Sequence, residues 1–301
     1  MFSRYKKYIL SAVMLLIALA AIFFFGKAGY SSWKEIAGTS LQFNYSFLAL
    51  SIGLAIASFL ALTLGYYFVN RKMSIEIPFW KLAKARAFSD ISSYVPGKIW
   101  TLLTRMKYMK QWAGKTEVVM SSYMELIALI LSALFAFILL NLIYPGVFAQ
   151  YALISYIAFP FCIIFMHPKV ISFAINLGLK ILKKEKISIP LSYRSIIIAN
   201  VIYSSYWLLT GLAIFFLALS VYPVPWTYFP FIVLSFAVAW TIGFLSMIFP
   251  GGIGIREGVL VYALGIFLPL PVALVVSVCS RGIIILSQLM LALISWLLAQ
   301  M

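Results

Sequence analysis

The sequence is poor in acidic residues, in histidine and in cysteine. Its 301 residues include 7 Asp and Glu, of which Asp90 is the one aspartate, a single histidine and two cysteines. With one aspartate no Asp-x-Asp pair exists, which argues against a metal-dependent sugar-nucleotide site. His167 stands alone, and Cys162 and Cys279 lie inside apolar stretches without paired spacing, as is typical of buried thiols. We therefore predict neither a metal site nor a cofactor.

Charge of either sign is also scarce. Charged residues make up 10% of the chain, whereas average soluble domains contain about 25%. Hydrophobic residues account for 64%, aromatic residues for 17%, and the mean hydropathy is +1.07. A soluble globule of this length could not cover so much apolar surface. The composition predicts an all-α polytopic membrane protein.

Six apolar stretches are long enough to span a bilayer, whose hydrocarbon core is about 30 Å thick, although the fourth is only marginally so. They are Tyr8 to Phe25, Phe47 to Val69, Glu117 to Tyr144, Tyr151 to Phe165, Ser195 to Val221, and Val272 to Ala299. Two further regions, 79–110 and 228–267, are broken by proline and glycine. We predict that each is a re-entrant hairpin; the alternative is an eight-span bundle with one kink, because 228–249 is long enough to cross alone.

The same order of segments occurs twice. Each half contains two spans, then a broken segment, then a span with one buried charge, which is Glu125 in the first half and Arg281 in the second. The halves, about 1–145 and 146–301, form one transmembrane domain. Three full spans per half would invert the second half relative to the first, as in many transporters whose interrupted segments mark the binding site.

Basic residues dominate the charge, with 23 Lys and Arg and a formal net charge of +16. In a soluble protein this would suggest nucleic acid, but here 19 of the 23 lie in loops on one side of the predicted spans. Positive loops face the cytoplasm, so we predict a multi-pass protein of the cell membrane with both termini cytoplasmic and no nucleic-acid partner. The amphipathic segment 168–186 is either an interfacial helix or a solvated connection.

The two breaks predict a polar cavity inside the membrane. Proline and glycine leave backbone groups without helical partners, and such groups survive in lipid only where they line a cavity. A helix that starts after a break directs its positive N-terminal end into that cavity and favours phosphate; Lys98 and Arg256 add full charge there. The predicted lining residues are Tyr94, Pro96, Gly97, Pro250, Gly251, Gly252 and Gly254.

Buried charges predict the rest of the site. Glu125 and Arg281 lie about 13 Å inside their spans, where charge is costly and must be paired. Arg256 and Glu257 are adjacent and cannot pair well on a helix. We therefore predict Glu125 to pair with Arg281 or Arg256, and Glu257 with Lys98 or Arg105. Lys98, Arg105, Arg256 and Arg281 would neutralise a lipid phosphate, and Glu125, Glu257 and Asp90 would balance the empty cavity or contact a cationic head group. The alternative is that these charges only hold the two halves together.

Two motifs carry a resemblance to a known family. Ser-Ser-Tyr-Val-Pro-Gly-Lys-Ile-Trp at 92–100, followed by Arg105 and Glu125, resembles the first motif region of the lysylphosphatidylglycerol synthase transmembrane, flippase-like family. Pro-Gly-Gly-Ile-Gly-Ile-Arg-Glu-Gly at 250–258 closely resembles its second signature. Members of that family include the membrane half of multiple peptide resistance proteins, which flip aminoacylated phosphatidylglycerol. Other members work beside glycosyltransferases that use polyprenyl-phosphate sugars.

The resemblance implies a lipid flippase. In two-part members a soluble domain performs the transfer reaction, but the longest loops predicted here are too short to form one, so we expect no soluble synthase domain. The expected cargo is an anionic or aminoacylated phospholipid, or a polyprenyl-phosphate-linked lipid, and we expect no catalytic activity. Three alternatives stay open: a partner subunit for a glycosyltransferase or other lipid-modifying enzyme, a secondary transporter of a small anion, and an enzyme that transfers a group to or from a polyprenyl-phosphate lipid. A homo-oligomer is compatible with the sequence, which says nothing further about assembly.

Overall fold

The computed structural model describes residues 44–95, 99–144, 166–181, 191–246 and 252–300, with 157, 160, 161, 163 and 164. These residues form α-helices, short 3-10 turns and no strand, which confirms the all-α prediction. The helices are α1 (Tyr45–Lys72), α2 (Phe79–Ser92), α3 (Ile99–Met109), α4 (Lys115–Ile143), α5 (Pro168–Ile181), α6 (Tyr193–Leu219), α7 (Phe229–Leu245), α8 (Ile255–Leu264) and α9 (Leu270–Leu298).

Four of these helices coincide with predicted spans. Helices α1, α4, α6 and α9 have 27 to 29 residues each, or about 40 Å of helix. All four are long and apolar enough to cross a membrane, as is 226–245, which comprises α7 and the preceding 3-10 turn. The chain is therefore a multi-pass membrane protein. The predicted first span and most of the fourth lie outside the described residues, so the total number of spans stays a prediction.

The two broken regions differ in length. Helices α2 and α3 have 14 and 11 residues, or about 21 and 17 Å, so neither crosses the bilayer alone. They pack on each other, as the arms of a re-entrant hairpin do. In the second region α8 is short, with 10 residues, whereas the arm 226–245 reaches spanning length. The predicted equivalence of the two hairpins thus does not extend to their lengths.

Helices from the two halves interleave and share one core. Helix α1 packs along α6, and α2 packs along α9. The contacts come in matching sets, because α6 packs on α4 as α1 does on α9, and α7 packs on α4 as α2 does on α9. This arrangement agrees with an inverted repeat. The repeat stays a prediction, because the first predicted span and most of the fourth lie outside the described residues.

Small residues and hydroxyl groups make the close helix contacts. A Cβ on Gly65 would lie 2.7 Å from the ring of Tyr203, so α1 and α6 meet this closely because α1 has no side chain there. Ser51 donates to the carbonyl oxygen of Ala213 at 2.6 Å. The buried Trp207 donates its indole N–H to Ser132 Oγ of α4 at 3.0 Å. Small residues and interhelical hydrogen bonds are what hold helices together in lipid, where apolar burial provides no driving force between helices.

Helix α5 covers the first part of the predicted amphipathic segment, whose remainder lies outside the described residues. Ile171 is buried against the core, whereas Phe173 and Leu177 are exposed on another face. The helix thus presents apolar side chains both to the protein and away from it. Its location at the membrane interface stays a prediction.

Candidate functional site

Four buried or nearly buried charged residues form a network that we call the first charge cluster, comprising Arg86, Asp90, Arg105 and Glu125. Arg86 Nε donates to Glu125 Oε1 at 3.0 Å, and Arg86 Nη1 donates to Asp90 Oδ2 at 2.6 Å. Arg105 Nη1 donates to Glu125 Oε2 at 2.5 Å. Each oxygen of Glu125 therefore accepts from a different arginine. The cluster joins α2, α3 and α4.

Neighbouring groups complete the coordination of Arg105. Its Nε donates to Ser89 Oγ at 3.0 Å, and its Nη1 also donates to Ser122 Oγ at 3.1 Å. Its guanidinium lies 4.5 Å from the ring centroid of Tyr66. With two arginines and two carboxylates, the first charge cluster has no net charge. The ion pairs of the cluster connect the hairpin α2–α3 to α4. Because its charges compensate each other, the cluster has no excess charge that would attract a charged ligand.

The predicted pairing of Glu125 is wrong. Glu125 contacts Arg86 and Arg105 of its own half, instead of Arg256 or Arg281 of the other half. The hairpin α2–α3 lies directly beside α4, so its arginines reach the carboxylate first. Arg86 is one of the 19 basic residues that the sequence places in loops on one side of the predicted spans, yet it lies in α2 and is 3% exposed. Its spacing of four residues from Asp90 places the two on one helix face, which was the available signal for this pair.

A second charge cluster lies in the other half and comprises Arg256, Glu257 and Arg281. Arg281 Nε lies 3.6 Å from Glu257 Oε1, so Glu257 pairs with Arg281 and the predicted pairing with Arg105 is wrong. The guanidinium of Arg256 lies 4.6 Å from the ring centroid of Phe236. Its buried Nη2 has no hydrogen-bond partner among the residues that the structure describes. A small cleft is lined by these three charged residues with Leu260, Ser277, Ser280 and Ile284.

Glu257 also caps the helix on which it lies. Its Oε2 accepts a hydrogen bond from the backbone N–H of Gly254, the N-cap of α8, at 2.6 Å. A carboxylate at this position compensates the positive end of the helix dipole. The end of α8 is therefore already occupied by a carboxylate of the chain itself. The arginines remain as the cationic groups available to a ligand.

Glycine is required at two positions of the second motif. Gly252 and Gly254 have φ of +69° and +87°, a backbone conformation that favours glycine. A Cβ on Gly252 would also lie 2.9 Å from the carbonyl oxygen of Gly243 in α7. A Cβ on Gly243 would in turn lie 2.9 Å from Cβ of Arg256. These close approaches place Arg256 against α7, at the level where the chain turns into α8.

Tyr94 connects the two halves at the second charge cluster. It follows α2, yet the guanidinium of Arg281 lies 5.0 Å from its ring centroid. Its hydroxyl donates to Gln288 Oε1 of α9 at 2.9 Å. The sequence analysis placed Tyr94 in the cavity lining but did not identify Gln288, which carries no charge and follows Arg281 by two helical turns.

The predicted site residues thus divide into two groups. Arg105, Glu125 and Asp90 belong to the neutral first cluster, and Arg256, Glu257 and Arg281 to the second, which has two positive charges and one negative charge. Both lie deep in the long helices: Glu125 and Arg281 are about 15 Å from the starts of α4 and α9. Among the described residues, no three His, Cys, Asp or Glu side chains come together as a metal site would require. Five predicted residues lie outside the described part of the chain: Pro96, Gly97, Lys98, Pro250 and Gly251.

Comparison with known proteins assigns the chain to a family. The profile of the lysylphosphatidylglycerol synthase TM region matches residues 10–292, a range that includes both motifs and both charge clusters. A search of curated proteins finds no relative of this chain. The match indicates a function that involves membrane lipids, and it agrees with the resemblance of the two motifs. The chain belongs to the lysylphosphatidylglycerol synthase transmembrane family.

Proposed function

We propose that this protein translocates a lipid with an anionic phosphate head group across the membrane, and that Arg256 and Arg281 bind the phosphate. The supporting observation is the charge imbalance of the second charge cluster. Among the residues that the structure describes, the two arginines there share one carboxylate, Glu257, whose second oxygen accepts from a backbone N–H. A buried positive charge without a counterion is expensive in a membrane, and a bound phosphate would supply the missing negative charge.

The donor groups suit a phosphate. Arginine presents several N–H donors in a planar fork that matches phosphate oxygens, and such bonds are about twice as strong as neutral ones. Arg256 Nη2 is buried and unpartnered among the described residues, so it is a donor that a ligand could satisfy. Ser277 and Ser280 line the same cleft, and the hydroxyl of Ser280 donates to the carbonyl oxygen of Ser277. Ser277 donates to the carbonyl oxygen of Glu257, which fixes the wall of the cleft beside the arginines.

The first charge cluster has a different role in this proposal. Its four charges compensate each other, so it would hold the hairpin α2–α3 against α4 as a rigid unit. The predicted participation of Arg105, Glu125 and Asp90 in ligand binding is accordingly replaced by a supporting role. The lipid tails would stay in the bilayer while the head group crosses beside the second cluster.

The ion pairing of the buried carboxylates favours translocation over group transfer. Asp90, Glu125 and Glu257, the acidic residues in the two clusters, each lie in an ion pair with arginine. A general base has to be available to take a proton, and carboxylates held by guanidinium groups are poor at this. We therefore propose a transporter without a catalytic step of its own.

The test is lipid translocation in vesicles. The purified chain is reconstituted into phosphatidylcholine vesicles that contain fluorescent phosphatidylglycerol, and reduction of the outer fluorophore by dithionite reports the lipid that reaches the outer leaflet. We expect wild type to accelerate this, and Arg256→Gln to lower the rate at least about tenfold, since one charged hydrogen bond is worth about 1.5–3 kcal/mol. Arg71→Gln is the matched control, because Arg71 is exposed and pairs loosely with Glu76 at 3.9 Å.

Parallel vesicles distinguish the alternatives. Uptake of radiolabelled inorganic phosphate without lipid translocation would replace the proposal with a transporter of small anions. Equal lipid translocation by wild type and Arg256→Gln would remove the site assignment. Fluorescent phosphatidylcholine and a fluorescent polyprenyl phosphate, assayed in the same way, determine which head group the site selects.

A further inference from the structure

Tyr94 lies at the junction of the two halves. Its backbone N–H donates to the carbonyl oxygen of Ile91 at 3.2 Å, so a tight turn holds it directly after α2. Its side chain nevertheless reaches α9, with the ring against Arg281 and the hydroxyl bonded to Gln288. Arg281 and Gln288 are seven residues apart, which places them two turns apart on one helix face.

Contacts within the first half hold the backbone at Tyr94 in place. One helical turn before it, Asp90 accepts from Arg86, which also donates to Glu125 of α4. Ser93 and Val95 on either side of Tyr94 also donate backbone hydrogen bonds to the last turn of α2. The ring of Tyr94 thus follows helix α2, which the first charge cluster holds in place. The arginine that the ring contacts, Arg281, belongs to the second charge cluster.

Arg281 needs such support if it binds an anion. A free arginine side chain loses rotamer entropy when it is fixed, and a site that is already ordered avoids this loss on binding. The ring of Tyr94 attracts the guanidinium through its quadrupole. Attraction to the ring does not use up the N–H donors of the guanidinium, from which a phosphate oxygen can accept. Glu257, at 3.6 Å, restrains the same group from another direction.

We infer that Tyr94 is a positioning residue, which together with Gln288 orients Arg281 for anion binding, so that the first half of the chain completes a site located in the second. The inference rests on the proposed function, because it requires Arg281 to bind the anion. It has a mechanical consequence: any movement that separates α2 from α9 removes the ring from Arg281 and weakens the site. Ligand affinity is thereby coupled to the contact between the two halves.

The experiment measures anion binding by the full chain in detergent micelles, with dihexanoyl phosphatidylglycerol and inorganic phosphate as separate probes. The key variants replace Tyr94 with phenylalanine carrying none, one, two or three ring fluorines. Fluorination weakens the ring quadrupole stepwise and changes the shape very little. We expect the dissociation constant to rise steadily with fluorine number, to about tenfold overall, and Tyr94→Leu to equal the trifluoro variant. An unchanged or falling dissociation constant along the series overturns the inference.

The hydroxyl group of Tyr94 allows a second, independent test of the inference. Tyr94→Phe and Gln288→Leu each remove the same hydrogen bond, so each should weaken binding about threefold, and the double variant should be no weaker than either single one. Additive effects would overturn the pairing of Tyr94 with Gln288. Tyr193→Phe is the matched control, because its hydroxyl donates to the carbonyl oxygen of Ile163, away from the site.

The same assay separates this inference from the proposed function. Arg256→Gln should weaken binding of the probe at least about tenfold, whichever residue stands at position 94. If Arg256→Gln binds like wild type, the proposed site fails. If Arg256→Gln loses binding but the fluorinated series is flat, the site stands and the role of Tyr94 is refuted. A response to inorganic phosphate equal to that of the lipid probe identifies a free anion, rather than a lipid head group, as the ligand that the arginines recognise.

Discussion

Replacing Glu125 by glutamine removes one of the two negative charges of the first charge cluster with almost no change in volume. Arg86 keeps its contact with Asp90 at 2.6 Å, but Arg105 loses its carboxylate and is left with neutral partners, namely hydroxyl groups, an aromatic ring and the amide oxygen of the glutamine. Arg105 is 5% exposed, so water cannot replace the lost carboxylate. Removal of one partner of a buried ion pair typically costs about 3–5 kcal/mol. We expect Glu125→Gln to lower the free energy of unfolding by about that amount.

A double variant tests whether charge balance is the cause. Arg105→Gln alone leaves the cluster with one negative charge in excess, and it should also be strongly destabilised. Arg105→Gln with Glu125→Gln restores neutrality, since Arg86 and Asp90 remain paired. The double variant should therefore be more stable than the sum of the two losses predicts. Arg71→Gln, on the exposed pair with Glu76, should change stability by about 0–1 kcal/mol.

The assay is unfolding by SDS in mixed micelles, followed by tryptophan fluorescence, with the midpoint and slope fitted for each variant. Refutation is direct. If Glu125→Gln unfolds at the same SDS fraction as Arg71→Gln, the cluster does not stabilise the fold. If the double variant loses the sum of the single losses, the residues act independently and the charge-balance argument is wrong.

Two further predictions concern the second motif and the orientation of the chain. Gly243→Ala should destabilise the protein by about 1–3 kcal/mol and weaken anion binding, because its Cβ would press on Arg256. Gly282→Ala should leave both unchanged, because a Cβ at that position would meet no atom within 4 Å. Equal effects of the two variants in SDS unfolding and probe binding would refute the close approach. In a variant without Cys162 and Cys279, a cysteine at Lys110 should react with an impermeant maleimide only from the cytoplasmic side, and one at the exposed Trp226 only from the outside. The reverse labelling pattern would overturn the predicted orientation.

The long helices could be predicted from the sequence closely. The stretch Phe47 to Val69 was expected as a span, and α1 covers it as Tyr45–Lys72. The last span, expected from Val272 to Ala299, is α9 at Leu270–Leu298. Such agreement is possible because the hydropathy of a spanning helix is a local property, readable in a window of about 20 residues.

The partners of the buried charges could not be predicted in this way. Arg86 and Glu125 are 39 residues apart in sequence and meet at 3.0 Å, because α2 and α3 fold back beside α4. Whether Glu125 faces them or faces α8 and α9 depends on the rotation of one helix by a fraction of a turn. Hydropathy is nearly insensitive to that rotation when a helix is apolar on all sides. Arg86 was misjudged for a related reason, since a buried arginine and a loop arginine look alike in a count of charges.

The sequence by itself determined that this is a helical membrane protein of a lipid-related family, where its long helices lie, and that charge is rare enough for each buried ion to matter. Tertiary structure alone decided how those ions are divided: a neutral group that joins α2, α3 and α4, and a positive group at Arg256 and Arg281 that Tyr94 reaches from the other half. The reason is one of range. Composition and periodicity act over neighbouring residues, whereas electrostatic balance is set by which helices pack together, and that emerges only when the two halves of the chain meet.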